Sequence, residues 1–107
     1  MNVTFSDKVR LPAEEFDLVQ KATKILDEVL GPSSDRVKAE WDRTEVNVGR
    51  PVFTLRISDW MGSVAAYFTP EQLASSSLMR VRLHHLWGNL LQAHVDKQLQ
   101  ELSKSEE

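Results

Sequence analysis

Apolar residues recur along this chain with two periods, one helical and one of strands, and their changeovers divide it into elements. The longest helical run is Leu78 to Leu102. At 100° per residue, Met79, Leu83, Leu86, Trp87, Leu90, Ala93 and His94 share one broad face, the stripe of a helix that packs on a core. A second seam, Val81, His84, Gly88, Leu91, Val95 and Leu102, follows steps of three, four or seven residues, the spacing by which one helix lies along another. This helix is therefore predicted to have two neighbours, a sheet and a helix.

An earlier helix is predicted from Pro12, which suits a first turn because its missing N–H is no loss there. Phe16, Leu18, Val19, Ala22, Ile25, Leu26, Val29 and Leu30 line one of its faces, and Gly31-Pro32 stops it. From Arg36 the period falls to two. Val37, Ala39 and Trp41 alternate with charged residues, whereas Val46 and Val48 lie on the opposite phase, so a bulge or break is expected near Asp42 to Glu45. Gly49 in Val48-Gly49-Arg50-Pro51 predicts a reversal of type II′. Phe53, Leu55 and Ile57 form the next inward row. Asp59-Trp60-Met61-Gly62 reverses the chain again, and Val64, Ala66 and Phe68 make a third strand.

Thr69-Pro70-Glu71-Gln72 has an N-cap, a first-turn proline and a capping-box glutamine. A short helix starts there, and Ser75-Ser76-Ser77 bend the chain before the long helix. Residues 1 to 11 read as an extended arm anchored by Val3, Phe5, Val9 and Leu11, and Ser103 to Glu107 as a frayed tail. The whole is one α+β domain over residues 1–107. The predicted architecture is a two-layer sandwich, αβββα, with both helices on one face of a three-stranded antiparallel meander.

Double-stranded-RNA-binding domains share that element order, and the chain resembles them in topology alone. They hold phosphates with lysines at the start of the last helix, where this chain offers Thr69-Pro70-Glu71-Gln72 and later only Arg80 and Arg82. With a net charge of −3, nucleic acid is not expected as a partner. The same charge gives no reason to expect an acidic membrane. No run approaches the length of apolar residues that a spanning helix needs, and the N-terminus lacks a basic region followed by an apolar one. Cysteine is absent, which removes disulfides and thiolate chemistry and fits a reducing cytoplasm.

Chemistry is sparse. His84 and His85 diverge by 100° on a helix and His94 lies further on, so no pair has the i, i+4 spacing that clamps a metal. The pattern implies no catalytic residues, cofactor or metal. His94 reads as a partly buried histidine bonded to a backbone carbonyl, His84 as filling the seam and His85 as facing water. Asp59 could orient a histidine as a general base, although its turn position already accounts for it. Trp41 and Trp87 are in phase with the core. Trp60 and Met61 are not, because central turn positions face water, and two large apolar residues there ask for a cover.

The expected function is a non-enzymatic protein–protein interaction domain, a homodimer or a small subunit of an assembly, with Trp60, Met61, Val95, Leu99 and Leu102 at the interface. The seam's far end is part of the reason. A seven-residue strand spans about 23 Å and the long helix about 37 Å, so some two turns overhang the sheet and must be covered. The covering surface is a second copy or the N-terminal arm. The alternative reading is a small-ligand protein or weak enzyme with a pocket between sheet and helices that uses His94, His84 and Asp59.

Overall fold

A computed structural model describes residues 1–47 and 49–105. The elements in order are β1 (Asn2–Phe5), a 3-10 turn, α1 (Ala13–Leu30), a second 3-10 turn (Gly31–Arg36), β2 (Lys38–Asn47), β3 (Arg50–Ser58), β4 (Ser63–Phe68), α2 (Pro70–Leu73) and α3 (Ser76–Ser105). The fold is α+β, with α1 and α3 side by side on one sheet face. The predicted meander is present. Ala39, Trp41, Phe53, Leu55, Ile57 and Phe68 turn toward the helices and are buried, and Val19, Ala22, Leu26, Met79, Leu83, Leu86 and Leu90 meet them. Trp41 donates its ring N–H to Thr23 Oγ1 at 3.0 Å, which satisfies its one polar atom inside the core. The opposite face carries Glu40, Arg56, Ala65 and Tyr67 and is exposed.

The sheet has four strands in the order β1-β2-β3-β4, not three. Part of the predicted arm is a strand, pairing parallel with β2 so that Val3 lies beside Ala39 and Phe5 beside Trp41. Phe5 then meets the Phe16 ring edge-on at 5.1 Å. Ser6 extends the tie, its hydroxyl donating to Asp42 Oδ1 at 2.7 Å. Val9 is fully buried, whereas Leu11, also expected to anchor the arm, is 73% exposed.

The expected break near Asp42 to Glu45 is misplaced. The β2–β3 ladder is regular from Lys38 to Glu45, and its register shifts between Glu45 and Asn47. Arg43 takes the inward position that the pattern left without an apolar residue. Its guanidinium lies 6.0 Å from the centre of the Phe53 ring and bonds Glu15 and Glu45, so its stem packs while its charge is paired. The chain does reverse at Gly49, whose φ is 78°. Asn47 pairs with Arg50, which makes this glycine the second loop residue and not the first as a type II′ turn requires. Val48, also assigned to that turn, lies outside the described residues.

The capping box forms as predicted, with Thr69 accepting from the Gln72 backbone and Gln72 returning the bond to the Thr69 N–H. The bend follows at Ser75. Its hydroxyl accepts from Leu78 N at 3.4 Å, and α3 starts at Ser76, two residues before the predicted start. α3 extends to Ser105, into the segment expected to fray, and Glu106 and Glu107 lie outside the described residues. At 30 residues α3 is about 45 Å long, against about 30 Å for the nine residues of β3. The overhang stretches the molecule to 53 × 29 × 22 Å.

Candidate functional site

The β3–β4 turn is built by one aspartate. Asp59 N donates to Gly62 O at 3.0 Å, and Asp59 Oδ1 accepts from the backbone of Met61 at 2.9 Å and of Gly62 at 3.0 Å. That uses one carboxylate oxygen. The other, Oδ2, lies 2.6 Å from Nε2 of His94 on α3. This contact is close without the alignment of a good hydrogen bond, and the ring nitrogen has no hydrogen-bond partner elsewhere among the described residues. Histidine and aspartate side chains are 20% and 5% exposed.

The consequence is mechanical. The turn lies against the middle of α3, close enough that a Cβ on Gly62 would stand 3.5 Å from Ala93 Cβ. His94 was expected to bond a backbone carbonyl; its Nε2 instead lies beside the carboxylate of Asp59 without a hydrogen bond. The spacing of 35 residues between them hid the pairing.

Held this way, the turn presents Trp60 outward at 80% exposure. A cleft of about 190 Å³ runs beneath it, with Met61, Trp87, Leu91 and His94 among its walls. Leu91 is one turn before Val95, and Val95 leads to Leu99 and Leu102, all exposed. Two groups predicted separately as interface, Trp60 with Met61 and Val95 with Leu99 and Leu102, therefore meet at Leu91. They form one apolar strip from the turn to the free end of α3.

The seam was expected to have a helical neighbour, but its residues are not buried against one. Val81, His84, Gly88, Leu91, Val95 and Leu102 are all exposed, because α1 meets α3 through the core stripe. His84 in consequence fills no seam. Nor can the arm cover the strip, since β1 is at the opposite edge of the sheet from β4 and Val9 is already buried.

Of the three polar residues expected around a ligand pocket, His94 and Asp59 come together and His84 does not line their cleft. A larger depression of about 760 Å³ lies elsewhere, near Glu15, Arg50 and Thr69. It contains no histidine. Among the described residues no three histidines, aspartates or glutamates cluster as a metal site would require, and no helix is long and apolar enough to cross a membrane. Comparison with protein families, with curated proteins and with solved structures gives no match to this chain.

Proposed function

We propose that this is a non-enzymatic protein–protein interaction domain of the cytoplasm that pairs with a second copy of itself through the strip from Trp60 to Leu102. The observation that carries the reading is the exposure of Leu91, Val95, Leu99 and Leu102 at 43%, 46%, 56% and 61% on a helix that runs past its own core. Such a row of apolar side chains beside an exposed tryptophan marks a contact surface.

Self-complementarity favours a second copy as the occupant. A two-fold contact requires the same patch on both partners, and antiparallel pairing centred on Val95 sets Leu91 against Leu99. It also sets Leu102 against Gly88, where a Cβ would meet nothing within 4 Å and a partner's side chain has room. The Asp59–His94 pair then acts as a clamp, holding Trp60 beside Leu91 before a partner arrives. Ordering the patch in advance lowers the cost of association. The strip is small against the roughly 1,600 Å² of a standard interface, so a dimer of about micromolar affinity is expected.

Light scattering across a concentration series tests the proposal. The full chain should show twice the monomer mass at tens of micromolar. Leu99→Glu combined with Leu102→Glu should return it to monomer, with an unfolding free energy within about 0.5 kcal/mol of the parent when both are diluted to monomer. A monomeric parent chain, or a dimer that survives both substitutions, sinks the reading.

A further inference from the structure

At the other side of α3 the sheet ends in a strand that no further strand pairs among the described residues. β4 is an edge strand, and its sequence Ser63-Val64-Ala65-Ala66-Tyr67-Phe68 has no charge and no proline, the devices by which edge strands discourage further pairing. The bond from Asp59 N to Gly62 O fixes its phase. Stepping two residues at a time along the antiparallel register, Val64, Ala66 and Phe68 exchange bonds with β3. Ser63, Ala65 and Tyr67 therefore direct their N–H and C=O groups away from the sheet. Three donors and three acceptors stand ready along one line.

That line borders a groove of about 370 Å³ between β4 and α3, whose polar walls are Arg82, His85 and Asn89. Acidic residues outnumber basic ones in this chain, 16 to 13, yet none lines the groove. Arg82 is fixed in place: one guanidinium nitrogen donates to Gln72 Oε1 at 3.0 Å, and the group lies 4.4 Å from the centre of the Phe68 ring. The acceptor it uses belongs to the capping box, so α2 and the edge strand position the charge together. An arginine held this way has N–H groups left for a carboxylate and little rotamer freedom to lose in binding one.

We propose that the β4 edge takes up an extended segment of another protein as a fifth strand, its main chain bonding Ser63, Ala65 and Tyr67 and a carboxylate side chain reaching Arg82. Strand addition of this kind draws affinity from the backbone and selectivity from the groove beside it. A second copy of this chain fits the edge poorly. Its own β4 carries no carboxylate, so pairing β4 with itself would leave Arg82 without an acid to bind. The groove also lies roughly a third of the way round α3 from the Leu91–Leu102 strip, so both surfaces can be occupied at once and each can fail alone.

The test uses two fluorescein-labelled heptapeptides, one alternating valine with glutamate and one alternating valine with lysine, titrated with the full chain and followed by anisotropy. The glutamate peptide should bind saturably, and the lysine peptide at least about tenfold more weakly. Ala65→Pro removes an outward N–H and leaves the β3 ladder intact. It should weaken the glutamate peptide by at least about tenfold with an unchanged circular dichroism spectrum. His85→Glu with Asn89→Glu leaves the strand untouched and should reverse the preference toward lysine, which keeps the test decisive if the proline variant does not fold. Several results overturn the proposal: no saturation with the glutamate peptide by about 1 mM, equal binding of both peptides, or binding that a folded Ala65→Pro variant retains. A parent dimer abolished by Ala65→Pro would also overturn it, by placing a second copy on this edge.

Discussion

Leu90 and Leu91 are neighbours in sequence and opposites in surroundings. Leu90 is fully buried against the sheet, whereas Leu91, turned 100° round α3, is 43% exposed. The two seams to which they belong have nearly the same spacing. One is a core because α1 and the sheet supply atoms opposite it, and the other stays exposed because they do not. Periodicity thus reports that a helix face is apolar and is silent on whether the same chain covers it.

The sharpest way to separate the two is to truncate each leucine in turn. Leu90→Ala should lower stability by about 2 to 5 kcal/mol, the cost of lost burial plus an unfilled cavity. Leu91→Ala should stay within about 0.5 kcal/mol in a monomeric background. Urea denaturation of both measures the difference, and equal midpoints would break the face assignment. An intermediate effect is expected where the surfaces are joined. Asp59→Ala strips two backbone N–H groups of their acceptor and His94 of its carboxylate, and should cost about 1 to 3 kcal/mol. An unmoved midpoint would mean that the clamp does not hold the turn.

The smallest effect belongs to the sheet edge far from α3. Asp42 is held below its usual carboxylate range, chiefly by the Ser6 hydroxyl, then by the Arg43 backbone N–H and the charge of Lys8, against a small opposing desolvation. A depressed folded pKa stabilises above the unfolded value of about 3.9, and that stabilisation disappears as pH falls through the folded value. Thermal melts should therefore show Asp42→Asn losing less stability than the parent between about pH 5 and pH 2. Because Asp42 is exposed, the difference is expected to be slight; a larger acid loss in the variant would reverse the assignment.

Both long helices, the two hairpins and the capping box were legible in the sequence because each depends on residues close together in the chain. β1 was not. It has four residues, too few for a convincing period, and it pairs in parallel across the whole of α1, so no turn announces it. Arg43 misled for a different reason: a charged residue that packs by its stem and is paired at its tip reads as an interruption in any hydrophobic pattern. The site was legible in pieces. Trp60 and the leucines of α3 stood out as uncovered, and Asp59 and His94 as candidate chemistry, but only the tertiary structure shows that the polar pair lies beside the junction of the apolar pieces. The β4 groove gave no sequence signal, since an unpaired strand edge belongs to the backbone and to the order of strands.

The overhang of α3 also governs how the molecule moves through a liquid. Its radius of gyration is 15.4 Å, where a compact domain of the same length would have about 13 Å. By the same scaling, a compact particle of that radius would weigh roughly half again as much. A gel-filtration column calibrated with spherical standards sorts by size, and so would place the monomer partway toward a dimer. Mass for this protein has to come from scattered light and not from the volume at which it elutes.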